Sequence, residues 1–145
     1  MEILLEDIEN HRITDAVCVD ASCLGNPGVT EYRAIDMCTR QVIFNYKLNE
    51  ATNNIGEFLA IVHALALYKN RHKPLKVIYT DSVTAIAWVR NKKTKTTFTK
   101  TERNRKTFEI LERAINWLQT NTFDTAIVKW DTEQWGEIPA DYGRK

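Results

Sequence analysis

Four acidic residues follow or flank apolar stretches in a pattern that suits metal-dependent chemistry. Asp20 follows AVCV, Asp81 follows KVIYT, and Asp141 follows DTAIVKW after a ten-residue loop, while Glu57 opens a predicted helix. Ligands of open α/β sheets bind near strand ends. Converging carboxylates repel one another unless a hard divalent cation lies between them. Two Mg²⁺ ions about 3.5–4 Å apart can activate a water and stabilise the leaving oxygen in phosphodiester cleavage.

Each acid also has a purely structural interpretation. Asp20 could be a turn residue, Asp81 could be a helix N-cap, and Asn54 and Glu57 have the spacing of a capping box. Capping does not explain why an acid follows each of two buried strands, nor why two acids, Glu137 and Asp141, stand four residues apart near the C-terminus. The acids considered jointly therefore favour a metal site.

The elements that must position these acids begin with strands. DAVCVD reads as a strand that ends at Asp20, and VTEYRAIDMC and QVIFNYKLN follow it as an antiparallel meander. GNPG predicts a type II turn, with a positive φ at Gly28. LKVIYTD and DTAIVKW are two later strands.

Helical spacing of apolar residues appears between and after the later strands. The residues from Asn54 predict a helix that stops before Pro74, SVTAIAWVRN predicts a short helix, and FEILERAINWLQ predicts a longer amphipathic one. The order β-β-β-α-β-α-α-β predicts an α/β domain in which helices join the later strands, which are then parallel.

The charge is distributed unevenly along a chain whose net charge is only +1. The stretch 88–106, called here the basic strip, carries eight Lys or Arg and one Glu. Such a strip suits a polyanion bound beside carboxylates, with Lys92, Lys93 and Lys95 on its phosphates. A solvated helix face is the alternative. With 145 residues, the chain fits one domain with one core.

Cysteine usage and hydropathy bear on location. Cys18, Cys23 and Cys38 are odd in number and lack CxxC spacing, which indicates neither a disulfide framework nor a zinc site. The acidic N-terminus does not resemble a secretory signal, and no apolar run reaches the ~20 residues of a membrane span. A cytoplasmic protein without a membrane partner is expected.

Four motifs together resemble a known enzyme family. VDASCLGNPG, TNNIGEFLAIVHAL, IYTDSVTAIAWV and KWDTEQWGEIPADYGRK are similar, in this order, to the catalytic domain of type 1 ribonuclease H, in its bacterial branch with the WGEI-ADYGRK ending. The resemblance covers the chain from about Asp15 onward. It implies a ribonuclease H-like fold with a five-stranded mixed sheet flanked by helices, in a single catalytic domain over residues 1–145. No separate N-terminal hybrid-binding domain is expected.

The resemblance also implies an activity. Such enzymes cut the RNA strand of RNA/DNA hybrids, and Asp20, Glu57, Asp81 and Asp141 match their metal-binding catalytic carboxylates. One Mg²⁺ would activate the attacking water and a second would stabilise the leaving 3′ oxygen, which gives 5′-phosphate and 3′-hydroxyl ends. Mn²⁺ is expected to substitute, and a monomer without an obligatory protein partner is expected.

By the same resemblance, two groups of residues contact the hybrid. For the RNA strand, Asn26 and Gly28 match a loop that meets 2′-hydroxyls, Asn53 and Asn54 match residues that straddle both strands, and Thr132 aligns with a further contact. For the DNA strand, the matching residues are Thr52, Asn54 and Thr96 in a phosphate pocket and Trp88 on a deoxyribose. Trp88 could equally be a core residue of its helix.

The chain departs from the family pattern at several positions. Residues 130–141 contain no His where many relatives have one, Val83 stands where close relatives often have Gln, and Cys23 is unusual in the first loop. Glu137 is predicted to replace the missing His, as a mobile carboxylate that helps product release. The alternative is a solvated loop acid.

Two other functions remain open at this stage. A DNA nuclease on the same fold would share the chemistry, and a nucleic-acid-binding module would lack catalysis. The four acids disfavour the second. The GNPG loop and the Asn pair disfavour the first, because the matched parts meet the 2′-hydroxyl that distinguishes RNA from DNA.

Overall fold

The computed structural model describes residues 15–143, and in them one mixed sheet of five strands. The strands are β1 (Ala16–Leu24), β2 (Gly28–Asp36), β3 (Val42–Ala51), β4 (Val77–Thr80) and β5 (Ala126–Lys129), in the order β3-β2-β1-β4-β5. The first three pair antiparallel, whereas β1, β4 and β5 are parallel. The predicted fold class and the meander are confirmed.

Four helices connect or follow these strands: α1 (Asn53–Asn70), α2 (Val83–Asn91), α3 (Arg105–Thr120) and α4 (Thr132–Trp135). In α3 the predicted apolar stripe packs inward, with Leu111 and Leu118 buried and Phe108 and Ile115 half-buried against the core. No helix in residues 15–143 is long and apolar enough to cross a membrane.

The core has two parts, one on each face of the sheet. Val17, Val19 and Ala21 of β1 face the helices, where burial of each large apolar side chain stabilises the fold by about 1.5–3 kcal/mol. Ala16 and Cys18 face the other side. That second face is covered by residues that follow β5, namely Trp130, Ile138 and Ala140, so the C-terminal segment packs directly on the sheet.

Two predictions about the first loop are wrong. β1 does not end at Asp20 but continues to Leu24, because Ala21, Ser22 and Cys23 extend the pairing with β2. The positive φ lies at Gly25 (76°) and not at Gly28, so the predicted type II turn does not form there. Gly28 is required for space instead, since a Cβ on it would collide with the carbonyl oxygens of Leu24 and Gly25.

Candidate active site

The parallel strands bring two of the predicted acids to one edge of the sheet. The last paired residues of β1 and β4 are Cys18 and Tyr79. Asp20 lies two residues beyond that pair, and Asp81 follows directly after the end of β4. Both acids therefore lie where the carboxyl end of β4 meets β1, although Asp20 is in mid-strand.

Asp20 is fully buried, and its Oδ2 accepts a hydrogen bond of 3.2 Å from the backbone N–H of Tyr142. The interpretation of Asp20 as a turn residue is therefore wrong. A buried carboxylate is costly unless it is hydrogen-bonded, and the contact to Tyr142 holds this side chain in place. The same contact places Asp20 beside Asp141, the preceding residue.

Glu57 approaches β1 from helix α1 and is 1% exposed. Its Oε1 accepts from the N–H of Ala21 at 3.2 Å, and its Oε2 accepts from the hydroxyl of Thr80 at 2.9 Å. The capping-box interpretation is wrong, because α1 is capped by Thr52, whose side chain accepts from the N–H of Ile55. The carboxylate of Glu57 points into the sheet edge instead.

Gly56 permits this close approach of α1 and was not singled out from the sequence. A Cβ at Gly56 would lie 2.8 Å from the Cβ of Ala21 and 2.9 Å from Cγ2 of Thr30. Any side chain would therefore force the helix away from β1 and withdraw Glu57. A glycine within a predicted helix, directly before the acid, was the available signal.

Asp81 is partly exposed and does not cap α2. The cap is Ser82, whose hydroxyl accepts from the N–H of Ala85 at 2.9 Å, so the N-cap interpretation of Asp81 is wrong. Oδ1 of Asp81 lies 3.8 Å from Nζ of Lys129 and accepts a hydrogen bond of 3.5 Å from the hydroxyl of Thr132. Thr132, predicted to contact RNA, thus lies beside this carboxylate.

Asp141 is held through its backbone. Arg33 donates from Nη2 to the carbonyl of Asp141 at 2.7 Å and from Nε to the carbonyl of Ala140 at 2.8 Å. The next residue, Tyr142, donates to Asp20. Asp141 therefore follows a segment that packs on the sheet and is one residue away from the contact with Asp20.

Hydrogen bonds link the surroundings of all four acids. Tyr142, the residue after Asp141, donates to Asp20. Ala21, the residue after Asp20, and Thr80, the residue before Asp81, both donate to Glu57. The four acids supply only carboxylate oxygens, the donors that Mg²⁺ and Mn²⁺ prefer. Within residues 15–143, however, no three His, Cys, Asp or Glu side chains already form a group that could hold a metal ion. The fit to a divalent cation rests on donor chemistry and on this linkage.

Two neighbouring cavities, which share Asn54 and Thr84, collect most of the predicted nucleic-acid contacts. A cavity of about 300 Å³ is lined by Glu57 and Asp81 together with Asn53 and Asn54. A larger one, of about 670 Å³, is lined by predicted contacts and by Lys95 of the basic strip. The predicted contacts in the larger cavity are Asn26, Thr52, Asn54, Trp88 and Thr96.

Comparison with known proteins identifies the family. A sequence profile described as RNase H matches residues 14–133. The chain belongs to the RNase H family. The predicted family is thereby confirmed, whereas the bacterial type 1 branch and its ending motif stay predictions. Glu137 and Asp141 lie beyond the matched residues.

Curated relatives carry the same name. A ribonuclease H of Neorickettsia sennetsu is 35% identical over 86 residues, which are 52% of this chain and 56% of that protein. A ribonuclease H of Nitratidesulfovibrio vulgaris is 43% identical over 67 residues, which are 43% of this chain and 40% of that protein. The matches span about half the length of these relatives.

Solved structures agree in fold. LC11-RNase H1, isolated from compost by a metagenomic approach, superposes with a TM-score of 0.51 at 16% identity, over 84% of this chain and 88% of that one. The same protein in complex with an RNA/DNA hybrid gives a TM-score of 0.50 at 13% identity, over 82% and 86%. At these identities the likeness shows the fold alone.

In this RNase H family chain, the structure shows the core-residue interpretation of Trp88, while its contact with a deoxyribose stays a prediction. It is 7% exposed and packs edge-on against Phe58 with ring centroids 5.9 Å apart, so it is a core residue. It also lines the larger cavity, so part of its ring faces the space beside Thr96.

The basic strip is anchored by Asn104, which the sequence did not single out. Asn104 is 1% exposed and donates from Nδ2 to Oε1 of Glu50 and to the carbonyl of Thr99, while its Oδ1 accepts from the N–H of Thr101 at 2.7 Å. These bonds tie the loop that carries Lys95 to the end of β3. Lys92, Lys93 and Lys95 themselves are exposed.

Glu137 is the one predicted catalytic residue that the described structure does not join to the others. It is exposed, follows Gly136 with its φ of 77°, and lines neither cavity. Ile138, directly after it, is buried against the sheet. Glu137 thus lies at the exposed end of a loop whose far end is fixed.

Proposed function

We propose that this chain is an endonuclease that hydrolyses the RNA strand of RNA/DNA hybrids with divalent cations and leaves 5′-phosphate and 3′-hydroxyl ends. The observation that carries the proposal is the set of hydrogen bonds linking the surroundings of four carboxylates at one sheet edge. Glu57 and Asp81 line a cavity together with Asn53 and Asn54, and a larger cavity with several Thr residues adjoins it. The names of both curated relatives support it.

Asp20, Glu57, Asp81 and Asp141 would hold the cations. Bound Mg²⁺ supplies activation of the attacking water and stabilisation of the leaving oxygen, and Mn²⁺ is a chemically similar substitute. The chain itself orients the carboxylates: the N–H of Ala21 and the hydroxyl of Thr80 fix Glu57. Lys129 offsets part of the charge of Asp81.

The substrate would lie across both cavities. Asn26 and Gly28 are proposed to meet 2′-hydroxyls, the group that marks RNA. The side chain of Asn26 is held in place, since its Oδ1 accepts a hydrogen bond of 3.1 Å from the N–H of Asn53. Thr132 would lie at the RNA strand beside Asp81.

The DNA strand would occupy the larger cavity. Thr52, Asn54 and Thr96 offer the hydroxyl and amide groups that commonly bind phosphate oxygens. Trp88 would present its ring to a sugar, and the exposed lysines of the basic strip would follow the backbone. The predicted single domain, monomeric state and cytoplasmic location stay predictions.

The proposal is tested with four labelled duplexes of one sequence: RNA/DNA hybrid, double-stranded DNA, double-stranded RNA, and a hybrid whose RNA carries 2′-O-methyl groups. Each is incubated with Mg²⁺, with Mn²⁺ and with EDTA. Cleavage of the first hybrid alone, abolished by EDTA, supports the proposal. Cleavage of duplex DNA at a comparable rate would instead favour a DNA nuclease on this fold.

A further inference from the structure

Three neighbouring strands place one residue each in a row under the segment that carries Asp141. Asp20 of β1 pairs directly with Arg33 of β2, and Arg33 pairs directly with Asn45 of β3. Residues that lie directly opposite in antiparallel strands have their side chains on the same face of the sheet. The row Asp20, Arg33 and Asn45 therefore forms one surface, called here the cradle.

All three residues of the cradle contact residues 140–142. Arg33 donates to the carbonyls of Ala140 and Asp141 at 2.8 Å and 2.7 Å, and its guanidinium carbon lies 4.5 Å from the ring centroid of Tyr142. Asp20 accepts from the N–H of Tyr142, and Asn45 accepts from its hydroxyl. The segment is thus held at two successive carbonyls and at both ends of Tyr142.

Arg33, the central residue of the cradle, determines how residues 140–142 are oriented on the sheet. A guanidinium presents several N–H donors in a rigid plane, so one Arg can fix two acceptors at once and stack on an aromatic ring. The segment needs such a clamp, because it follows an exposed loop with a positive φ at Gly136. Buried Ile138 and Ala140 give it contact with the sheet but set no direction for the carboxylate of Asp141.

We propose that Arg33 is a positioning residue that fixes Asp141 relative to Asp20 and thereby sets the affinity of the site for divalent cations. This inference rests on the proposed function, since it assigns metal binding to these two acids. Arg33 touches neither substrate nor cation in this account; it acts through the backbone of residues 140–142.

The test compares Arg33→Gln and Arg33→Lys with the control Arg113→Gln, which removes an arginine from the exposed face of α3. Amide hydrogen exchange of residues 140–142 and Mn²⁺ binding by calorimetry are measured without nucleic acid. For Arg33→Gln we expect exchange about 10-fold faster in this segment, with β1 and β4 unchanged, and Mn²⁺ affinity about 10-fold weaker.

The lysine variant separates charge from geometry. It keeps the positive charge but lacks the planar set of N–H donors, so it should restore exchange protection and Mn²⁺ affinity only in part. The control Arg113→Gln should match the wild type. If Arg33→Gln fails to fold by circular dichroism, Arg33→Lys carries the same comparison.

Unchanged exchange at residues 140–142, faster exchange with unchanged Mn²⁺ affinity, or full restoration by lysine would each overturn the inference. Neither measurement depends on cleavage. A wild-type protein that failed to cut hybrids would therefore refute the proposed function while exchange and Mn²⁺ binding still decided the role of Arg33.

Discussion

At the scale of single residues, the four acids differ in how firmly the chain holds them. Glu57 is buried with both carboxylate oxygens hydrogen-bonded, and Asp20 is buried with a bond from Tyr142. Asp81 is partly exposed beside Lys129. Since burying a carboxylate is costly, the burial of Asp20 and Glu57 is explained better by function than by stability.

Replacing Asp81 by Asn should lower the cleavage rate by more than about 100-fold, because the shape is kept while a cation-binding charge is removed. Hybrid affinity, measured by fluorescence anisotropy, should stay within a few-fold of wild type. Asp124→Asn is the matched control, since Asp124 is exposed before β5 at the opposite sheet edge. Near-normal turnover of Asp81→Asn would show that the carboxylate assignment is wrong.

Glu137→Gln should separate product release from chemistry. Glu137 is exposed, and we propose that it moves toward the site after cleavage. Its replacement should then lower steady-state turnover far more than the single-turnover cleavage rate. Asp141→Asn should depress both rates. If both rates of Glu137→Gln equal the wild type, Glu137 is a solvated loop acid only.

At the scale of elements, close packing and one buried side chain decide where the binding groups lie. Gly56 lets α1 approach β1 and carries Glu57 to the sheet edge. Asn104 ties the basic strip to Glu50 at the end of β3, and Thr107 adds a bond of 2.7 Å to the carbonyl of Glu50. The larger cavity depends on this junction because Glu50, Thr99 and Thr101 line it together with Lys95 and Thr96.

Asn104→Ala should weaken hybrid binding without changing the single-turnover rate at saturating hybrid. It removes three hydrogen bonds made by a buried side chain, each worth about 0.5–1.5 kcal/mol, and so loosens the loop. A titration of hybrid against cleavage rate measures both quantities. A lowered saturating rate with unchanged affinity would contradict the proposed role of this junction.

Changing Lys92, Lys93 and Lys95 together to Ala should weaken hybrid binding about equally across sequences. The slope of log affinity against log salt should fall by roughly one unit for each lysine that binds a phosphate in the wild type. The double variant Lys73→Ala, Lys76→Ala, made at exposed positions between α1 and β4, is the control. An unchanged slope would mean that the basic strip is a solvated face.

At the scale of the whole molecule, the sequence predicts what local patterns encode. Alternation and helical spacing predict the five strands, the meander and the long helices. Three of the four candidate acids are chosen from their places after apolar stretches, and Glu57 is chosen from its place at the start of a predicted helix. Helix starts were misassigned because neighbouring polar residues compete for the cap: Thr52 caps where Asn54 was expected, and Ser82 where Asp81 was expected.

Bonds between distant residues could not be predicted in this way. Arg33 lies 107 residues from Ala140 in sequence, and Asn104 lies 54 residues from Glu50. Nothing in the local pattern of β2 or of the basic strip indicates either bond. The end of β1 was misplaced for a related reason, since its extension past Asp20 depends on pairing with β2.

The central claim is that the four linked carboxylates direct water onto the RNA strand of a hybrid. The most direct test labels both strands and determines the ends of every product by mass spectrometry after cleavage with Mg²⁺. We expect an intact DNA strand and RNA fragments with 5′-phosphate and 3′-hydroxyl ends, and we expect no such fragments from Asp81→Asn. RNA fragments ending in a 2′,3′-cyclic phosphate, or cuts in the DNA strand, would contradict it.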